Sequence, residues 1–135
     1  MRKSISIYSR RIGEEWKLLF EHIEIADTFF SRIKGLLARE GFGDCNGMLL
    51  TPCGYVHTFG MKFDIDLVFL DRDKRVVDCR HSMGANSWAG KINAKHTLEL
   101  PAGILKSLNL KMGDELRWGR KNDIKKTCDF QNFSE

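Results

Sequence analysis

The sequence has no uninterrupted apolar run that approaches the roughly 20 residues of a membrane-spanning helix. Its first residues, MRKSISIYSRRIGEEW, include basic side chains but alternate polar with apolar positions, so they lack the continuous apolar stretch of a secretory signal. We therefore expect a cytoplasmic protein that does not associate with membranes. Internal repeats and low-complexity segments are also absent.

Cysteine is scarce, and its spacing excludes several kinds of site. The chain contains Cys45, Cys53, Cys79 and Cys128, and no two of them form a CxxC pair. The commonest signature of a zinc or redox site is therefore missing. Four scattered cysteines are also too few for a disulfide scaffold, and in a reducing cytosol we expect free thiols. No cofactor is predicted.

The chain also lacks a block of basic residues. Its net charge of +4 is mild, and no cluster of Lys and Arg could supply the many phosphate contacts of strong binding to nucleic acid. A nucleic-acid partner is therefore not expected, although the sequence is compatible with a weakly basic face.

What remains is the composition of one globular domain. With 135 residues, of which 42% are hydrophobic and 30% charged, the chain is long enough to bury a core. We expect a single domain with a body over residues 1–119 and a tail over residues 120–135. Runs rich in β-forming residues alternate with turn residues, which predicts a mainly β fold of about seven short strands with one or two short helices. Such a fold is a small β-barrel or sandwich.

The clearest strand is predicted over residues 63–70. Its two faces would carry Phe63, Ile65, Leu67 and Phe69 on one side, and Asp64, Asp66, Val68 and Leu70 on the other. A polar turn at residues 71–74 and a β-rich run at residues 75–79 predict a hairpin. Apolar spacings of three and four predict a helix over residues 28–40. Residues 82–93 have no period, which predicts a long exposed loop.

Several short motifs occur in order along the chain. They are Arg32, Gly35, Leu36 and Leu37; then Gly47, Met48 and Leu49; then the segment from His57 to Asp71; and finally Leu98 to Gly103 with Gly113 and Asp114. This ordered set resembles the family called domain of unknown function 192. The resemblance implies a fold and a shared groove but no reaction. Many members of that family have proline where this chain has Asp64, and glycine where it has Lys74.

The junction between a polar loop and the strand at residues 63–70 is the expected site. We predict a groove around residues 53–66 and 83–91 that binds a small molecule or an extended peptide, with no catalysis, in a monomer or weak dimer. The candidate ligand-binding residues are Cys53, His57, Thr58, Met61, Lys62, Asp66 and Trp88. Asp66 shares a face with Val68, so its carboxylate should be at least partly buried and paired with Lys62, His57 or loop N–H groups.

Three alternatives stay open. Cys53 and His57 could bind a metal ion, although a metal site needs further ligands. The same two residues could act as a thiolate–imidazole pair with Asp66 orienting the ring, as in a Cys/His-dependent enzyme. Residues 98–118 also resemble the strand, short helix and Gly-Asp turn of swapped-hairpin transcription regulators, which bind DNA.

Overall fold

The computed structural model describes residues 3–27 and 40–120. Within these residues the fold is mainly β, as the sequence predicted, with nine strands and one helix of four residues, α1 (Ile104–Ser107). The strands are β1 (Ser4–Arg10), β2 (Lys17–Ala26), β3 (Gly47–Leu50), β4 (Tyr55–His57), β5 (Ile65–Leu70), β6 (Val76–Met83), β7 (Trp88–Gly90), β8 (His96–Pro101) and β9 (Glu115–Gly119). The predicted helix over residues 28–40 and the tail beyond residue 120 fall outside the part that can be described.

Seven strands form one sheet in the order β6-β5-β8-β3-β2-β1-β9, and β4 pairs with β7 in a separate two-stranded ribbon. Only the pairing of β2 with β3 is parallel within this description; the other pairs are antiparallel. The large sheet curls strongly. The starts of its two edge strands meet at an isolated bridge between Arg75 and Glu115, but no continuous ladder closes a barrel.

β5 lies second from one edge of the sheet, between β6 and β8, and both of its faces are buried. Val68 and Leu70 point into one apolar cluster inside the curl of the sheet, where they meet Leu98 of β8. Leu67 and Phe69 point into a second cluster on the opposite face. The alternation of residues 65–70 between two faces therefore matches the sequence prediction, although the strand begins at Ile65 and not at Phe63.

The β5–β6 hairpin is also confirmed, with Leu70 opposite Val76. The turn between the two strands places Lys74 in the left-handed region, with a φ of 64°. A side chain is rarely favoured there, so the position suits the glycine that the family resemblance implies. β6 extends to Met83, four residues beyond the predicted end of the strand.

Two loop predictions are wrong in part. The sequence predicts one long loop over residues 82–93 and a polar loop before the strand at residues 63–70. Instead β4 and β7 pair across these regions, with Val56 opposite Ala89. Val56 and Ala89 both pack on the second apolar cluster, so the ribbon covers a sheet face that would otherwise lie open to water.

No helix among the described residues has the length and apolar character that crossing a membrane requires.

Phe69→Ala tests whether the second cluster is a true core. Phe69 is fully buried between the large sheet and the ribbon, and removing a buried phenyl ring should lower the free energy of unfolding by about 3–5 kcal/mol. Urea denaturation measures the change. Met112→Ala, at a side chain that is 63% exposed, is the control and should stay within about 0.5 kcal/mol of wild type. Equal effects of the two variants would contradict the layering.

Candidate functional site

Asp66 joins three separate parts of the chain beneath the candidate site. Its carboxylate is fully buried on β5. Oδ1 accepts a hydrogen bond from the N–H of Ser82 at 2.7 Å. Oδ2 accepts from the N–H groups of Gly103 at 2.9 Å and Leu105 at 3.0 Å. Three charge-assisted bonds from backbone donors account for the burial of this carboxylate.

These partners are backbone N–H groups, one of the three kinds of partner that the sequence predicted for Asp66. Among the described residues, neither Lys62 nor His57 bonds to this carboxylate. Lys62 lies at the surface, where its Nζ is 3.1 Å from Oε1 of Glu40. The carboxylate instead stabilises an irregularity in β6, where Ser82 has a φ of 51°, and the start of α1, where Gly103 has a φ of 94° that suits glycine.

Thr58 links the end of β4 to the segment before β7 by hydrogen bonds. Its side chain is fully buried. The hydroxyl donates to the carbonyl of Gly84 at 2.6 Å and accepts from the N–H of Ser87 at 2.8 Å. The backbone N–H of Thr58 donates to the carbonyl of Ser87 at 2.8 Å. Thr58 therefore holds the ribbon in shape and does not offer its hydroxyl to solvent.

The outer face of the ribbon carries exposed aromatic side chains. Because neighbours across paired strands share a face, Tyr55, His57 and Trp88 all point away from the second cluster. Tyr55 and Trp88 are 54% and 66% exposed, and their ring centroids lie 5.7 Å apart at 42°. Phe59, which is 48% exposed, stacks on the ring of His57 at 5.4 Å. We call these four residues the aromatic face.

Gly90, which lies opposite Tyr55, leaves room for the Tyr55 ring beside Trp88. A Cβ at Gly90 would lie 3.1 Å from Cδ2 of the Tyr55 ring, so the ring leans across this glycine toward Trp88. Any larger side chain at position 90 would have to displace the ring. The spacing between the two aromatic rings therefore depends on a residue that presents no side chain.

The two residues of the proposed Cys/His pair have different contacts in the structure. Cys53 packs against the second apolar cluster, and its thiol donates to the carbonyl of Tyr55 at 3.0 Å. His57 lies on the aromatic face and stacks on Phe59. Across the described ranges, no three His, Cys, Asp or Glu side chains come together as metal ligands. Cys79 lies elsewhere, on β6. Burial is the main cause that raises the pKa of its thiol, and the negative charge of Asp78 adds to it.

The candidate residues thus fall into two groups. His57 and Trp88 belong to the aromatic face, with Lys62 exposed nearby in sequence. Thr58, Met61 and Asp66 are buried and support the ribbon or the sheet beneath it. Sequence reasoning missed Tyr55 and Phe59, although aromatic or imidazole rings at residues 55, 57 and 59 have the period of two that is typical of one strand face.

The sequence profile of the family DUF192, described as "Uncharacterized ACR", matches residues 11–118. A UPF0127 protein of Thermococcus sibiricus is 33% identical over 100 residues, which cover 71% of this chain and 65% of that protein. A UPF0127 protein of Pyrococcus furiosus is 32% identical over 101 residues, which cover 73% of this chain and 87% of that protein. The match therefore spans slightly less than two thirds of the Thermococcus relative.

Two crystal structures share the fold. One, named "putative transcription regulator", is from Sinorhizobium meliloti 1021; it has a TM-score of 0.73 and 19% identity, covering 87% of this chain and 95% of that one. The other, a protein of unknown function from Novosphingobium aromaticivorans DSM 12444, has a TM-score of 0.71 and 20% identity, covering 85% of each chain. At these identities the likeness concerns the fold alone.

Substituting Asp66 should loosen the segments that it joins. Asp66→Ala removes three charge-assisted bonds from buried backbone donors, so we expect a loss of unfolding free energy of at least about 1.5–3 kcal/mol. Asp66→Asn retains one oxygen and should lose less. Amide hydrogen exchange should accelerate at Ser82, Gly103 and Leu105. Asp64→Asn, at an exposed carboxylate two residues away, is the control. Unchanged exchange at all three amides in Asp66→Ala would refute this role.

Thr58→Val tests whether the hydrogen bonds of the Thr58 hydroxyl stabilise the ribbon. The substitution keeps the shape of the side chain but removes the hydroxyl, which leaves the Ser87 N–H and the Gly84 carbonyl without this partner. We expect faster amide exchange at Ser87 and a loss of about 1–3 kcal/mol in stability. Thr58→Ser keeps the hydroxyl and should preserve the slow exchange. If valine and serine behave alike, the hydroxyl does not hold the ribbon.

Proposed function

The chain belongs to the DUF192 family of uncharacterised proteins, and we propose that it is a non-catalytic binding module whose ligand rests on the aromatic face. The observation that carries this proposal is the exposure of Tyr55, Phe59 and Trp88 on one side of a two-stranded ribbon. A cluster of exposed aromatic rings on a small soluble fold is typical of a contact surface for a ligand or partner.

The support beneath this face favours binding by a preformed surface. Val56 and Ala89 pack the underside of the ribbon on the second cluster. Thr58 bonds to Gly84 and Ser87 at one end. At the other end the N–H of Cys53 donates to the carbonyl of Lys95 at 2.7 Å. Rings held on a fixed backbone lose little conformational freedom when a ligand binds, which improves affinity.

The roles of the candidate residues follow from their positions. In this proposal His57 and Trp88 contact the ligand together with Tyr55 and Phe59, and Lys62 lies at the rim. Thr58, Met61 and Asp66 act from below by holding the backbone. The ligand is a small molecule or an extended segment, because the surface is small and open. A monomer or weak dimer in the cytoplasm is part of the same proposal.

The contacts of Cys53 and His57 favour binding over catalysis. A nucleophile and its general base need to lie within hydrogen-bonding reach of one another. The Cys53 thiol donates to a backbone carbonyl, whereas the His57 ring is stacked on Phe59. In the proposed function, Cys53 is therefore a packing residue and His57 an aromatic contact.

Trp88 provides a direct test. Trp16 is 9% exposed and Trp88 66% exposed, so collisional quenching by acrylamide should report mainly on Trp88. Screening small metabolites and short peptides, we expect a ligand that shields Trp88 from acrylamide and loses affinity in Trp88→Ala and Tyr55→Ala. Met112→Ala, at an exposed side chain outside the ribbon, is the control. A ligand that binds all these variants as tightly as wild type would place the site elsewhere.

Cys53→Ala separates binding from thiol chemistry with the same ligand. The affinity should change little, because the thiol donates to the carbonyl of Tyr55 and packs beneath the ribbon, away from the proposed ligand contacts. A ligand that is turned over by wild type but not by Cys53→Ala would instead establish an enzyme.

A further inference from the structure

We propose that the ligand of the aromatic face is a single-stranded nucleic acid, whose unpaired bases stack on the exposed rings. This inference rests on the proposed binding function and specifies its ligand. It uses two independent features of the ribbon, the arrangement of its rings and the sign of its charge.

The rings form two neighbouring stacking positions. Tyr55 and Trp88 make one pair, with centroids 5.7 Å apart, and His57 and Phe59 make the other, 5.4 Å apart. Tyr55 and His57 are two residues apart on β4, which separates their Cα atoms by about 6.8 Å along the strand. Successive unpaired bases of an extended strand can each occupy one pair. Stacking of this kind does not depend on base identity, because every base has a π-face.

The ribbon and its connections carry more positive than negative charge. Residues 51–64 and 84–95 contain Lys62, Lys91 and Lys95, and Asp64 is their single acidic residue. Lys91 follows β7 directly, and its backbone N–H donates to the carbonyl of Gly54 beside Tyr55. Its side chain is exposed, and among these three lysines it is the one nearest in sequence to Trp88. An anionic phosphate backbone complements this charge.

Other groups limit the charge near the edges of the ribbon. Lys62 is paired with Glu40 at 3.1 Å. Lys95 lines a surface depression of about 530 Å³ together with Asp71 and Asp73. Asp64 lies on the other side, where a Cβ at Gly84 would be 3.6 Å from its Oδ1. Few phosphates can therefore be neutralised, and stacking should supply most of the affinity.

These features favour a single strand over other occupants. A duplex keeps its bases stacked on one another and is held chiefly by many phosphate contacts, which this ribbon cannot provide. A proline-rich peptide can also dock on aromatic rings, but it would leave the positive charge without a counterpart. The weakly basic character of the whole chain, which argues against duplex binding, is compatible with recognition by stacking.

Fluorescence anisotropy with labelled 12-nucleotide oligo(U) and oligo(dT) tests the proposal in the full chain. We expect saturable binding that shields Trp88 from acrylamide. Trp88→Ala and Tyr55→Ala should each weaken binding about tenfold or more, whereas Trp88→Phe should retain most of the affinity. Lys91→Ala should reduce the slope of log K against log salt by about 0.7. Met112→Ala should bind like wild type, and circular dichroism confirms that each variant is folded.

Three results would overturn the proposal. Oligonucleotide binding that Trp88→Ala and Tyr55→Ala leave unchanged would place nucleic acid on another surface. A 12-base-pair duplex that binds more tightly than either single strand would assign phosphate contacts, and not stacking, as the basis of affinity. No saturable binding of either oligonucleotide would mean that the ligand class is wrong.

A failure of both oligonucleotides to bind can be distinguished from a failure of the proposed function. If a proline-rich decapeptide shields Trp88 while oligonucleotides do not, the aromatic face is a binding site for a different ligand. If Trp88→Ala dissociates a dimer seen by sedimentation, a second copy of this chain occupies the face, and both proposals fail.

Discussion

The buried carboxylate of Asp66 is the interaction on which the arrangement of the chain depends. Residues 82, 103 and 105 are far apart in sequence from residue 66, and each contributes a backbone N–H to this single side chain. Without those donors a carboxylate between two apolar neighbours on β5 would be strongly unfavourable. The buried charge therefore fixes the end of β6 and the start of α1 relative to β5. These two positions constrain the segments between them.

Burial of both faces of β5 imposes the next constraint. The curled sheet can cover only its own inner face, so the face of Leu67 and Phe69 needs a separate cover. β4 and β7 provide it with Val56 and Ala89. Because side chains alternate along a strand, turning those two residues inward forces Tyr55, His57 and Trp88 outward. The aromatic face is thus a geometric consequence of how the second cluster is closed.

The sequence predicted those parts of the fold whose signal is local. The alternation of residues 65–70 and the polar turn after them sufficed for the β5–β6 hairpin. The three-residue strands β4 and β7 gave no such signal. Pro52, Gly54 and Gly90 are residue types that are typical of loops, and the paired residues are more than 30 positions apart in sequence. Burial of Asp66 was predictable from its neighbours, and so was pairing with loop N–H groups. Which N–H groups take part was not predictable, because backbone donors carry no residue identity.

The surroundings of the three tryptophan side chains distinguish the aromatic face from ordinary packing. Trp16 lies beneath the guanidinium groups of Arg10 and Arg117, 4.5 and 4.7 Å from its ring centroid. The Trp118 ring is covered by Lys74 at 4.5 Å and by His96 at 4.9 Å. Long cationic side chains thus shield both rings from water. Trp88 has a tyrosine beside it but remains 66% exposed. Closing the second cluster requires only Val56 and Ala89 from the ribbon, so folding alone does not account for an indole and a phenol on its outer side. The proposed binding function gives these two rings a role.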